Sequence, residues 1–467
     1  MKKIFSIIFI AFAWFGFAQV DSLSNVLRFD EYLGYVKKFH PIVKQANLVI
    51  DESQAKLLKS RGAFDPKIDV DYDRKKFKGT EYFDKLNGTF KIPTWFGVEL
   101  KASFEENTGD FLNPEAFVPE DGLYSAGVSV PVLRGLLIND RMASLKQAKL
   151  FREQAKADRD IYVNNILFEA SKVYFKWLKS YNELKLFENF LVNAEQRYRG
   201  IVRGVELGEN AQIDATEARI AFNSRKLSLE QSRVKMMKAS LELSTFLWLE
   251  NNIPVELQPN VVPDIETEPI VDATFNLDQL RNQDVVIDQH PKIQSLDFKR
   301  QSLNVERRLK ANMLLPRVDL EYNFLTETPD IGRSFNTQEY KGGVNVSMPL
   351  FLRKERGDLK LAKIKLSDTE FEINATRVNL QNKINGLKQE LDSYVTQNEI
   401  TVEMVSDYQL MLRAEERKFQ LGESSLFLVN SRESKLIEGQ LKAIEIQNKF
   451  FNTKAKLFNS LAVNPEL

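Results

Sequence analysis

The residues that could do chemistry in this chain are carboxylates set two apart. Asp69, Asp71 and Asp73 interleave with Ile68, Val70 and Tyr72. Asp319 and Glu321 interleave with Val318, Leu320 and Tyr322. On a strand this spacing puts every carboxylate on one face; lining the lumen of a barrel, such rows favour cations, an effect that Lys91, Lys101 and Lys341 on other strands weaken. The two histidines, His40 and His290, each precede a proline at matching places. A proline at the first turn of a helix accounts for the pair without a metal or a catalytic role. The chain has no cysteine, which excludes disulfides, thiol catalysis, cysteine-held metal sites and a lipidated N-terminal cysteine. A glycine-rich phosphate loop and a nucleophile with its base are not apparent. No enzyme and no cofactor are expected.

The elements that must position these residues are two long rods. From Pro349 to Gly422 an alternating four-three spacing runs through Leu380, Ile384, Leu387, Leu391 and Tyr394, the apolar seam of a coiled coil. As one helix, residues 350–421 would be about 108 Å long. From Pro131 to Gly208 the same spacing runs through Ile166, Ala170, Val173, Trp177, Ser180, Leu184 and Phe187. Each rod ends at Leu-Gly-Glu, and a return helix follows. The chain is a tandem repeat of one long hairpin.

The composition agrees with an elongated exported body. Of 467 residues, 43% are hydrophobic, and Lys+Arg and Asp+Glu both number 65. That balance gives no case for nucleic acid. Lys2 and Lys3 precede an apolar run from Ile4 to Phe17, with Gly16 and Ala18 as small residues. Residues 1–18 therefore read as a signal peptide. No later run is long enough to expect a transmembrane helix.

Residues 19–250 form the first repeat, 251–275 a proline-marked irregular linker, and 276–467 the second repeat. A helix over 29–62 is broken early at His40-Pro41, and His290-Pro291 returns at the same place in the second repeat. Alternating strands follow: about 67–78, 84–92, 95–106 and 122–130 in the first half, about 317–326 and 338–348 in the second. Long helical hairpins then occupy 131–250 and 349–467. Such strands suit a soluble sheet under helices. Their length and aromatics, together with the export signal, favour an outer-membrane β-barrel. Six strands do not close a barrel, and an open edge in hydrocarbon leaves backbone groups unpaired. Other copies must complete it.

This order of elements, duplicated, resembles the TolC family of outer-membrane efflux proteins. The residues that carry the resemblance are Arg197-Tyr198, Leu207-Gly208-Glu209, Ile213-Asp214 and Glu217-Ala218. The second copy is Arg417-Lys418-Phe419-Gln420-Leu421-Gly422-Glu423-Ser424-Ser425. The family often shows an aromatic, two residues, a glycine, and an aspartate six beyond it. Phe419 and Gly422 keep the first spacing, and Gly208 and Asp214 the second.

The resemblance implies an α+β homotrimer: an outer-membrane β-barrel continued by a long periplasmic coiled-coil barrel. It implies a passive exit duct for efflux or type I secretion, with a periplasmic adaptor and an inner-membrane transporter as partners. It places Gly208, Gly422, Glu209, Glu423 and Ser424 at the periplasmic tip. It implies an entrance gate at Asp214 and, where the second copy has lost its aspartate, at Phe427, Leu428 and Asn430. The alternative is a periplasmic coiled-coil adaptor or structural interaction protein, which would not need two sets of amphipathic strands. Whether the cargo is drug, metal or protein stays open, as does a strand count of twelve or about eighteen per trimer.

Overall fold

The computed structural model of the protein describes residues 26–277, 286–328, 330 and 336–463. The expected signal peptide lies outside them.

Helix α1 (Phe29–Phe39) and helix α2 (Pro41–Arg61) meet at His40. Four strands follow: β1 (Lys67–Phe77), β2 (Thr80–Pro93), β3 (Glu99–Thr108) and β4 (Leu123–Pro131). Helix α3 (Asp140–Glu206) has 67 residues, and α4 (Gln212–Ser244) returns along it. After α5 (Thr267–Phe275) and α6 (Pro291–Asn312) come β5 (Arg317–Thr326) and β6 (Tyr340–Ser347). Helix α7 (Arg353–Gln420) has 68 residues, and α8 (Leu426–Leu461) returns along it. Both long helices span about 100 Å.

Two boundaries differ from the sequence reading. The first rod begins at Asp140, not at Pro131, because the chain keeps pairing past the proline. The Val132 N–H donates to the Val318 carbonyl at 2.9 Å and the Arg134 N–H to that of Pro316 at 3.3 Å. The backbone turns at Gly135 (φ +103°), and the Asn139 side chain caps α3 by accepting from the Met142 N–H at 2.9 Å. The expected irregular linker contains α5. Pro269 sits in its first turn, where no intrahelical N–H bond is lost, and Val271 and Phe275 are buried.

The helices form one layer, four wide. Next to the strands the order is α7–α6–α3–α2, and further away it is α7–α8–α3–α4. The main core lies where α1 and α5 cover the layer. Phe275 stacks on Phe458 at 4.4 Å, Phe175 on Phe451 at 5.2 Å, and the buried Tyr174 hydroxyl donates to the Leu27 carbonyl at 2.8 Å. A second core around Leu186, Phe190, Leu412 and Leu436 binds the two hairpins further along.

The six strands make one antiparallel sheet in the order β6-β5-β4-β3-β2-β1. Within one chain it is open. β1 and β6 are its edges, and every residue of both is exposed. Among the described residues no helix is long and apolar enough to cross a membrane.

Candidate functional site: sheet faces and helical tips

The register sorts the strands into two unlike faces. Opposed residues of an antiparallel pair share a face. One face carries Ile68, Val70 and Tyr72 on β1, then Leu86 and Phe90, Leu100 and Phe104, Tyr124 and Val128, Leu320, Tyr322 and Phe324, and Val344 and Val346. Aromatic rings pair along it: Phe104 with Tyr124 at 4.8 Å and Tyr322 with Tyr340 at 5.3 Å. The rows are uncharged until one end, where Arg74, Asp84 and Glu106 share the face and Arg74 pairs with Asp84 at 3.4 Å; Ile68, Val70 and Val344 are exposed.

The opposite face holds Asp69, Asp71, Asp73, Asp319 and Glu321, as the alternation requires. It is not an acidic face. Lys67, Lys75, Lys85, Lys91, Lys101, Arg317 and Lys341 share it, as many cations as there are carboxylates once Glu99 and Glu105 are added. Lys91 pairs with Asp69 at 3.0 Å, Lys101 with Glu321 at 2.7 Å and Arg317 with Asp319 at 2.6 Å. The expectation of cation preference from this face loses its basis, because Lys85 stands opposite Asp73 and the other cations reach the acids from diagonal or same-strand positions.

At the tips the two repeats close alike. Gly208 (φ +78°) and Gly422 (φ +76°) take the left-handed conformation. The Glu209 N–H donates to the Gly204 carbonyl at 2.8 Å, and the Glu423 N–H to that of Lys418 at 2.9 Å. This is the six-to-one bond that finishes a helix on a glycine. The return helices start differently. Asp214 accepts from the Ala211 N–H at 3.2 Å, whereas Ser425 Oγ accepts from the Leu428 N–H at 3.4 Å. The Ser424 hydroxyl donates to Glu415.

Of the residues expected at an entrance, Phe427 and Leu428 are exposed. Asn430 is not free to line one. Its amide donates to Glu217 at 3.0 Å and its oxygen accepts from Arg197 at 3.3 Å. It belongs to a network that the sequence reading missed. Glu433 is wholly buried, with Arg197 and Arg225 each 3.3 Å from it. Arg197 also meets Glu416 at 3.2 Å. Four helices, α3, α4, α7 and α8, contribute to this cluster.

Both histidines are helix caps. His40 Nδ1 accepts from the Ile42 N–H at 3.2 Å, and His290 Nδ1 from the Lys292 N–H at 3.0 Å. Burial holds both imidazoles below the ordinary histidine pKa. Among the described residues no group of three or more His, Asp or Glu is placed to hold a metal ion.

The flanks of the layer carry a second missed signal. On α4, Ile213, Ile220, Leu227, Val234 and Leu241 recur every seven residues, and all are exposed. On α7, Ile364, Phe371 and Val378 do the same. A strict repeat of seven stays on one side of a supercoiling helix. These are coiled-coil stripes on the two outermost helices, with no partner helix against them among the described residues of one chain.

Comparison with known proteins agrees with this architecture. Residues 284–462 match the family model for the outer membrane efflux protein. No curated protein sequence matches the chain. Among solved structures, the Campylobacter jejuni CmeC outer membrane channel is similar with a TM-score of 0.66 at 14% identity, over 94% of this chain and 86% of that one. The Vibrio cholerae outer membrane protein VceC gives 0.66 at 12%, over 93% and 96%. The open state of the Neisseria gonorrhoeae MtrE outer membrane channel gives 0.65 at 12%, over 93% and 89%. The family match falls within the second repeat and spans less than half of the chain. The whole chain has the fold of these channels, and the TolC-family resemblance holds.

Proposed function

We propose that copies of this chain join edge to edge into a closed ring, an outer-membrane channel continued by a helical tunnel in the periplasm. It serves as the exit duct of a tripartite pump, working with a periplasmic adaptor and an inner-membrane transporter. The observation that carries this reading is the sheet: one face apolar and aromatic but for Arg74, Asp84 and Glu106 at one end, the other polar, and two long edges bare.

Apolar surface of this kind is the lipid side of a membrane barrel, and bare edges cannot persist in hydrocarbon. Six alternating strands leave β1 and β6 running in opposite directions, so β6 of one copy can pair antiparallel with β1 of the next. The flanks agree, since α7 lies on the β6 side and α4 and α2 on the β1 side. Their apolar stripes bury each other in the same ring. The contact is head-to-tail, which closes when the rotation fits, and the family resemblance implies three copies. The glycine tips then surround the periplasmic entrance, with three Asp214 carboxylates and the exposed Phe427 and Leu428 beside them. A periplasmic adaptor has no use for the apolar face.

The test is extraction and mass. The chain is expected to leave membranes only with detergent, and to have the mass of a trimer after correction for bound detergent. A monodisperse monomer, or release by salt alone, overturns the ring.

A further inference from the structure

The two bare edges of the sheet are unequal. β6 has eight residues, Tyr340–Ser347, and β1 has eleven, Lys67–Phe77. A bulge interrupts the pairing of β1 between Lys75 and Lys76, and a bulge bends its strand and ends regular pairing. The regular run of β1 is therefore Lys67 to Lys75. Parity narrows the alignment of the two edges. Ile68, Val70 and Tyr72 on β1 and Val344 and Val346 on β6 all stand at even positions. Facing residues of an antiparallel pair share a side of the sheet, so even positions must face even ones. Lys341 then faces Asp71, Asp73 or Lys75.

The register within one chain decides among the three. A row of facing residues runs from Ile68 through Phe90, Ala102, Ala126 and Phe324 to Tyr340. It starts at the helix end of β1 and finishes at the far end of β6. In a closed ring, Tyr340 must therefore meet β1 of the next copy some residues beyond Ile68, and that step sets the strand tilt. With Tyr340 opposite Arg74 the step is six residues, 68 to 74, across six strands. At about 3.3 Å per residue and about 4.8 Å per strand the tilt is about 35°, within the range of membrane barrels whatever the number of copies. A step of four puts Lys341 opposite Asp71, but it gives only about 25° and runs the last two residues of β6 off the start of β1. A step of eight gives about 43°, but it carries Tyr340 past the bulge and sets Lys341 against Lys75.

Resting on the channel reading above, we propose that β6 joins the next copy's β1 in one register, Tyr340 opposite Arg74 through to Ser347 opposite Lys67, and that Lys341 and Asp73 of the two copies form an ion pair on the polar face at each junction. All eight residues of β6 are then paired, and all meet β1 before its bulge. On the lipid side Val344 faces Val70 and Val346 faces Ile68. On the polar side the junction supplies two charges with the partners they lack. Asp69, Asp319 and Glu321 have ion-pair partners within the chain. Among the described residues Asp73 and Lys341 have none. Lys85 stands opposite Asp73 on β2, but its ammonium lies over the Phe83 ring, 5.0 Å from the centroid. Opposite charges facing each other across strands stabilise a sheet, and like charges destabilise it.

The experiment is disulfide linking between copies of the full chain in membranes, and the chain brings no cysteine of its own. Facing residues have Cα atoms about 5 Å apart, within reach of a disulfide, while diagonal neighbours at about 7–8 Å are beyond it. Lys341→Cys is combined in turn with Asp71→Cys, Asp73→Cys and Lys75→Cys, and each variant is oxidised mildly. The Asp73 combination is expected to link copies several-fold faster than the other two. Fastest linking through Asp71 or Lys75 overturns the register while the ring stands. No linking in any of the three overturns the ring and this inference with it. A charge swap reads the ion pair separately. Asp73→Lys is expected to lower the temperature at which oligomers come apart in detergent, and adding Lys341→Asp to restore most of the loss. A swap that restores nothing overturns the ion pair, even where the cysteines link.

Discussion

In the first repeat a helix of 67 residues follows four strands, and in the second a helix of 68 residues follows two. The helices run side by side in one layer and share both tips and a core, so a change in either length would unseat the other. The strands face no such demand. A hairpin adds one strand in each direction and returns the chain to its start, so the next helix begins where it would have begun. The repeats are held equal where they touch and are free to differ by even numbers of strands elsewhere. The tips show the same division. The glycine turns match, while the caps beyond them, Asp214 and Ser425, differ because each serves only its own helix.

The strongest way to break the comparison is to cut the tie between the repeats near the tip. Glu433 of the second repeat neutralises Arg197 and Arg225 of the first, and its side chain is fully buried. Removing one partner of a buried ion pair leaves the others uncompensated, at a cost of several kcal/mol. Glu433→Ala is expected to destabilise the chain by about 3 kcal/mol, read as a lower melting temperature and faster proteolysis at both tips. Replacing Glu433, Arg197 and Arg225 together by leucine is expected to cost less than Glu433→Ala alone, since no charge is then stranded. A single variant that melts like the wild type would mean that the hairpins are not coupled through this cluster.

Next in size are the glycine turns. A side chain in the left-handed region costs roughly 1–2 kcal/mol. Gly208→Ala and Gly422→Ala are expected to lose that much each, and equally, because their φ values agree within 2° (+78° and +76°). Unequal losses in denaturant titrations would show that one tip bears more load.

The histidine caps test the equivalence of the repeats by pH. Burial keeps both imidazoles neutral below the usual pKa of about 6.5. The unfolded chain therefore binds more protons as pH falls through about 6.5. The stability they give is complete above that pH and declines below it, as Nδ1 gains a proton and can no longer accept the cap bond. Loss of a cap costs about 1 kcal/mol. His40→Asn with His290→Asn keeps an acceptor that does not titrate, and is expected to flatten the loss of stability between about pH 7 and pH 5. An unchanged pH profile would assign the acid sensitivity to other groups.

The rods and strands were legible because both are periodic, at 3.5 and 2 residues. The apolar stripe on α4 was equally legible, since five residues at a spacing of seven need no structure to be found. Helix α5 was hidden by Pro269, which reads as a breaker unless its place in the first turn is known. The late start of α3 depended on strand pairing across to Val318 and Pro316, a contact between repeats. The acidic rows were correctly placed on one face, but their neutralisation depends on the register of β2 and β3. Arg197 was noticed as part of a motif. Glu433 and Arg225 were not, because four helices meet there and no spacing along one of them records it.

The smallest expected effect separates two roles of Asp214 that the second repeat divides. In the first repeat one carboxylate both caps α4 and, in the proposed trimer, stands with two copies of itself at the entrance. In the second repeat Ser425 caps, and Leu428 holds the equivalent position. Asp214→Asn keeps an oxygen for the Ala211 N–H and removes only the charge. Stability is expected to change by less than about 0.5 kcal/mol, within the range of a conserved cap. Block by divalent cations from the periplasmic side is expected to weaken several-fold, since a ring of three carboxylates attracts them and a ring of amides does not. Asp214→Ala then adds the loss of the cap, about 1 kcal/mol, to the same loss of block. If Asp214→Asn leaves the block as it was while trimers stay intact, the carboxylate is a cap alone, and the entrance is set by Phe427 and Leu428.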